Sequence, residues 1–106
     1  MKLVKAMLAV SLGAVIAAST MSASYAKQIT IGFSQIGAES EWRTANTNDV
    51  KANAEKAGVN LKFSDAQQKQ ENQIKAIRTF IAQKVDLIGF VPIVATGWDN
   101  ILREAK

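Results

Sequence analysis

From Val85 to Val91 every position except Asp86 is apolar, and Pro92 closes the run. A stretch this short and this apolar predicts a strand buried on both faces, the kind found in parallel sheets with helices on either side. Parallel neighbours need long crossover segments, so strands must alternate with helices elsewhere in the chain. They do. Ile29 to Phe33 suits a first strand, and Val59 to Ser64 a second, with Leu61 and Phe63 on one face.

Two helical patterns fill the gaps. In the first, Ser40 is a helix cap, Glu41 falls in the opening turn, Val50, Ala54 and Ala57 recur at helical spacing, and Gly58 ends the helix. The second, about Gln70 to Lys84, carries Ile74, Ile77 and Ile81 on one stripe widened by Phe80, with Glu71 four residues before Lys75. After Pro92, Thr96 and Asp99 resemble a capping box, and Trp98, Ile101, Leu102 and Ala105 make a third amphipathic stripe. The order β-α-β-α-β-α predicts an α/β fold with a parallel, doubly wound sheet and right-handed crossovers.

The first 26 residues stand apart. Lys2 and Lys5 precede an apolar run from Met7 to Ala18, and Ser24-Tyr25-Ala26 forms a small-x-small cleavage site, so residues 1–26 read as a secretory signal peptide. The apolar run falls well short of the ~20 residues that span a bilayer, which makes an uncleaved anchor the weaker reading. The formal net charge of +4 includes two leader lysines and no leader acid. The remainder holds no run of consecutive Lys or Arg, and neither a nucleic-acid footprint nor a polybasic membrane patch is expected.

The chain has no cysteine and no histidine, which excludes disulfides, thiol nucleophiles, Ser-His triads and His-based metal sites. No cofactor is expected. Lys106 falls inside the third helical pattern, and residues 27–106 are read as part of a longer amino-terminal lobe.

Ligands of open parallel sheets bind beyond the carboxyl ends of the strands. Three loops reach that edge, Gln35 to Arg43, Asp65 to Lys69 and Pro92 to Gly97, and the first is the richest. Glu39 can accept from hydroxyls, the Trp42 indole offers a flat apolar face, and the Arg43 guanidinium is a fixed fork of donors. Each has a plainer reading. Trp42 could staple the start of the helix against the sheet, while Glu39 and Arg43 could be solvated surface charges. Their joint position at the end of a strand favours a site. Gly32 and Gly37 do not make a Walker loop, because Ala-Glu follows where Lys-Ser is needed. Glu39 and Glu41 are too close in sequence to be persuasive as a glycosidase pair. Asp65, Gln67 and Gln68 read as loop residues, and Trp98 as a core residue on the stripe of Ile101 and Leu102.

The strings IGFSQIGAESEWR, FSDAQQKQENQIKAIRTFIAQ and VPIVATGW resemble the type 1 periplasmic sugar-binding proteins that feed bacterial ABC transporters, the ribose-binding-protein family, and within it the galactofuranose-binding branch. The resemblance runs through all of residues 27–106. It implies two α/β lobes that close on a sugar by hinge bending, a permease partner in the inner membrane, a periplasmic location, a monomer and no catalysis. It places ligand contacts at Glu39, Ser40, Trp42 and Arg43, and Glu41, between them, is counted as a candidate site residue. Glu41 departs from the pattern by standing where the family commonly has glycine, so an inward-pointing Glu41 would change the size and charge of the pocket. The family continues into a fourth strand ending in an Asp-Arg pair and then a second lobe, neither of which this chain contains. A monosaccharide, galactofuranose-like, is the expected ligand. The alternatives are the sugar-sensing core of a transcription regulator and an exported carbohydrate-active enzyme that uses Glu39 or Glu41.

Overall fold

The computed structural model describes residues 27–106, and the leader expected over 1–26 lies outside them. The elements run β1 (Thr30–Gln35), α1 (Glu41–Lys56), β2 (Asn60–Asp65), α2 (Gln70–Ala82), β3 (Leu87–Phe90) and α3 (Asp99–Ala105). The three strands form one parallel sheet in the order β2-β1-β3. The first strand is therefore the centre, with Thr30 opposite Asn60 on one side and Ile31 opposite Leu87 on the other.

Pleating sends alternate β1 residues to opposite faces, and each face meets a different helix. Gly32 lies under α2, where a Cβ would sit 2.4 Å from Phe80 Cγ, so only glycine lets the helix approach this closely. Phe80 and Ile77 are buried there, and the core continues through Trp98 and Ile101 with Ile74, Ile81, Ile88, Phe90 and Ile93 packed around it. Trp98 is a core residue, as its stripe predicts. Its ring centroid lies 5.0 Å from that of Phe90, and its Nε1 donates to the Val94 carbonyl at 2.7 Å. That bond satisfies the one polar atom a buried indole carries.

The opposite face carries Ile31, Phe33 and Leu61 below α1. Phe33 stacks on its register partner Phe63 at 6.2 Å, and the Lys51 ammonium lies 4.4 Å from the Phe63 ring centroid. The Val50–Ala54–Ala57 stripe does not make α1 a buried helix, since no residue of α1 is buried. Its polar residues leave too little apolar surface to seal the face. An open groove remains between α1 and β3, lined by Ile31, Phe33, Val50, Ala54, Leu61 and Leu87.

Among the described residues, the run that predicts a doubly buried strand forms only four strand residues at one edge of the sheet, with Leu87 55% exposed. Asp86 interrupts the run because it finishes the ladder at the amino end of the sheet. Its backbone N–H donates to the Thr30 carbonyl, and its Oδ2 accepts from the Thr30 N–H, each at 2.8 Å. The capping box expected at Thr96 and Asp99 does not form. Trp98 is the N-cap of α3 and makes no side-chain cap bond, while the Thr96 carbonyl accepts from Gln70 Nε2 at 2.7 Å. Glu71 and Lys75 form no ion pair among the described residues.

Candidate functional site

The loop Ile36–Ser40 leaves the carboxyl end of the central strand, and Ser40 starts α1 as expected, its Oγ accepting from the Arg43 N–H at 3.2 Å. This bond satisfies one of the free N–H groups of the first helical turn. It also fixes the backbone of Arg43, whose Nε donates to Glu39 Oε1 at 3.0 Å. The guanidinium carbon lies 4.9 Å from the Trp42 ring centroid. Glu39, Arg43 and Trp42 are therefore one connected unit. Glu39 and Arg43 are not separate solvated charges.

Trp42 is 67% exposed and does not staple the helix to the sheet. Arg43 lies over its ring, and much of the side chain remains open to solvent. Glu39 titrates below the usual carboxylate range, because its own backbone N–H and then the Arg43 guanidinium favour the charged form. Ser40 and Glu41 lie beside this unit on a shallow groove lined also by Ala38, Thr44, Ala45 and Asn48. Glu41 is exposed and unpaired among the described residues.

Space, not an unusual dihedral, explains Gly37. Its φ lies outside the left-handed region, but a Cβ would meet Glu39 Oε2 at 2.9 Å and Gln68 Cγ at 3.2 Å. The second loop is tied to the first at this point, through the Gln68 N–H bonded to the Ile36 carbonyl at 2.7 Å. Gln67 and Gln68 both have positive φ, 52° and 62°, a strained arrangement for non-glycine residues. Asp65 compensates by accepting from the Gln67 N–H at 2.8 Å, a turn role consistent with its reading as a loop residue.

Two site-forming residues escape a reading based on charge and aromaticity. Gln35 and Gln73 are both completely buried. Gln73 donates from Nε2 to the Val91 carbonyl at 2.7 Å and accepts from the Ile93 N–H at 3.0 Å, bracketing Pro92 and fixing the third loop. Its signal in the sequence is position, since it lies four residues before Ile77 on the buried stripe. Gln35 grips α1. Among the described residues no cluster of His, Cys, Asp and Glu could hold a metal, and no helix is long and apolar enough to cross a membrane.

With this geometry established, residues 31–106 match the model of the periplasmic binding protein domain. The chain is 56% identical over 91 residues to the galactofuranose-binding protein YtfQ of Escherichia coli K12, covering 86% of this chain and 29% of that protein. The crystal structure of a galactofuranose binding protein superposes with a TM-score of 0.72 at 61% identity, over 73% of this chain and 26% of the other. The binding-protein component of an arabinose ABC transporter from Shewanella sp. ANA-3, bound to α- and β-L-arabinofuranose, gives a TM-score of 0.71 at 62% identity, over 72% and 25%. This chain thus spans under a third of the length of these relatives. It belongs to the periplasmic binding protein domain family.

Proposed function

We propose that the Glu39–Arg43 segment is one wall of a monosaccharide site, in the amino-terminal lobe of a periplasmic solute-binding component of an ABC transporter. A galactofuranose-like sugar is the preferred ligand, and an inner-membrane permease is the partner. The observation that carries this reading is the Glu39–Arg43–Trp42 unit at the carboxyl end of the central strand. An exposed indole offers its face to the C–H side of a sugar ring, Glu39 accepts from hydroxyls, and the Arg43 nitrogens not engaged by Glu39 donate to ring or hydroxyl oxygens. Glu39, held in its charged form, suits a hydroxyl acceptor and not the general acid of a glycosidase, whose pKa must be raised. Ser40 serves as the cap that fixes Arg43, and Glu41 sits at the rim of the groove, where it adds negative charge.

A one-walled site leaves most of a sugar's surface in water, so residues 27–106 alone bind weakly or not at all. The test joins residues 27–106 to the remaining part of the E. coli galactofuranose-binding relative. The fusion should bind galactofuranose at micromolar concentration or tighter, while the unfused chain stays at about 1 mM or weaker, a gap of about 4 kcal/mol. A folded fusion without affinity, or micromolar binding by the unfused chain, would overturn the reading.

A further inference from the structure

The helix that carries Trp42 and Arg43 has almost nothing apolar holding it down. α1 runs 16 residues without one that is buried. Its contacts with the sheet include half-buried Val50 and Ala54 at the groove and Lys51 over the Phe63 ring. Hydrophobic contacts of this kind are non-directional and fix neither the rotation of a helix about its axis nor its slide along it. Near its amino end, however, α1 meets a completely buried side chain. Gln35, the last residue of β1, donates from Nε2 to Asn46 Oδ1 at 2.8 Å and to Thr47 Oγ1 at 3.1 Å, while its Oε1 accepts from the Ile36 N–H at 3.1 Å.

We infer that Gln35 is the positioning residue of the ligand wall, an amide bolt that sets the rotation of α1 and thereby the direction of Trp42 and Arg43. Both protons of the amide are used, so its orientation is determined, and hydrogen bonds are directional where apolar contacts are not. Asn46 is four residues from Trp42, and Thr47 is four residues from Arg43, so each bonded side chain lies one turn below a proposed ligand contact. The third bond, to Ile36, holds the start of the loop that carries Glu39. One side chain thus fixes both the strand end and the helix that flank the segment. The backbone of Gln35 is itself clamped, since its carbonyl accepts from the Ala66 N–H at 2.9 Å. The bearing of this bolt on ligand binding rests on the sugar-wall reading, whereas the orientation of α1 does not.

The test therefore reads orientation without ligand. Residual dipolar couplings of backbone N–H groups in the full chain, whose periodic phase along a helix reports its rotation about its own axis as well as its tilt, compare the orientation of α1 with the sheet in Asn46→Ala, in Asn46→Asp and in Gln35→Met. Alanine removes the acceptor while favouring helix, so a purely structural role predicts an unchanged or firmer α1. The bolt predicts instead that α1 turns relative to the sheet by more than about 10°, the tolerance within which a site keeps its geometry. Asn46→Asp retains an acceptor and should keep the parent orientation. In the sugar-binding fusion, Asn46→Ala should weaken affinity about ten-fold, and Asn46→Asp should restore it to within about three-fold. An unmoved α1 in Asn46→Ala overturns the inference, as does global unfolding of that variant, which would make the contact part of the fold's stability. A folded Gln35→Met must match Asn46→Ala; if Gln35→Met fails to fold, the Asn46 pair decides. A fusion that binds no sugar while α1 still turns would sink the sugar reading and leave the bolt standing.

Discussion

Arg43 is held by three different groups: the Ser40 cap through its backbone, and Glu39 and the Trp42 ring through its side chain. Such a guanidinium loses little further freedom when a ligand arrives, which is where preorganised sites gain affinity. In the sugar-binding fusion, Arg43→Ala removes charge-assisted hydrogen bonds worth about 1.5–3 kcal/mol each and should weaken binding ten-fold or more by calorimetry. Unchanged affinity would place Arg43 outside the site. The identities of Glu39, Trp42 and Arg43 are legible in sequence because charge and aromaticity are visible there. Their union is not, because it depends on Gly37 leaving room for the carboxylate to fold back. Gln35 is harder still to read, since a glutamine at a strand end looks like any polar loop residue until its burial is known.

At the scale of elements, α2 and α1 show what periodicity does and does not say. The isoleucine stripe of α2 is strong, and the helix is found within two residues of the predicted span, Gln70–Ala82 against Gln70–Lys84. The stripe on α1 is only valine and alanines, enough to predict a helix but too small to bury one. The start of α3 misleads for another reason. Thr96 and Asp99 have the spacing of a capping box, but the Thr96 carbonyl is drawn to Gln70, and Gly97, at φ 88°, turns the chain before the helix begins. Contact between α2 and the sheet depends on the missing side chain at Gly32. Gly32→Ala should therefore push Phe80 and α2 outward at a cost of about 1–3 kcal/mol, seen as a fall of several degrees or more in melting temperature. The neutral outcome, an unchanged melting temperature, would mean that α2 can slide on the sheet.

Taken together, the described residues pack the apolar stripe of α2 on one face of the sheet and leave the other open beside α1. Residues 27–106 should bind a hydrophobic dye such as ANS in the groove beside α1, and Leu87→Lys, at a half-exposed edge position, should reduce dye fluorescence without lowering stability. Acid acts at several places at once. Glu39, Asp86 and Glu104 all titrate below their ordinary values of 4.5, 3.8 and 4.5: Glu39 through its own N–H and then Arg43, Asp86 through the Thr30 N–H and then Lys27, and Glu104 through Arg78. Carboxyls with depressed folded-state pKa values contribute stability above their unfolded values, and that contribution is lost as pH falls through the folded ones. Stability measured by urea titration should thus hold steady above about pH 5 and decline below about pH 4. Constant stability from pH 6 to 3 would mean these ion pairs contribute nothing. The order β2-β1-β3 also sets a timetable. The central strand is synthesised first, yet Asn60 and Asp86, which complete its two sides, follow Thr30 by 30 and 56 residues. No hairpin can shelter it meanwhile, because both neighbours are parallel. Until Phe90 has been translated, this three-stranded sheet exists only in part, and the unpaired edge of β1 stays accessible to chaperones.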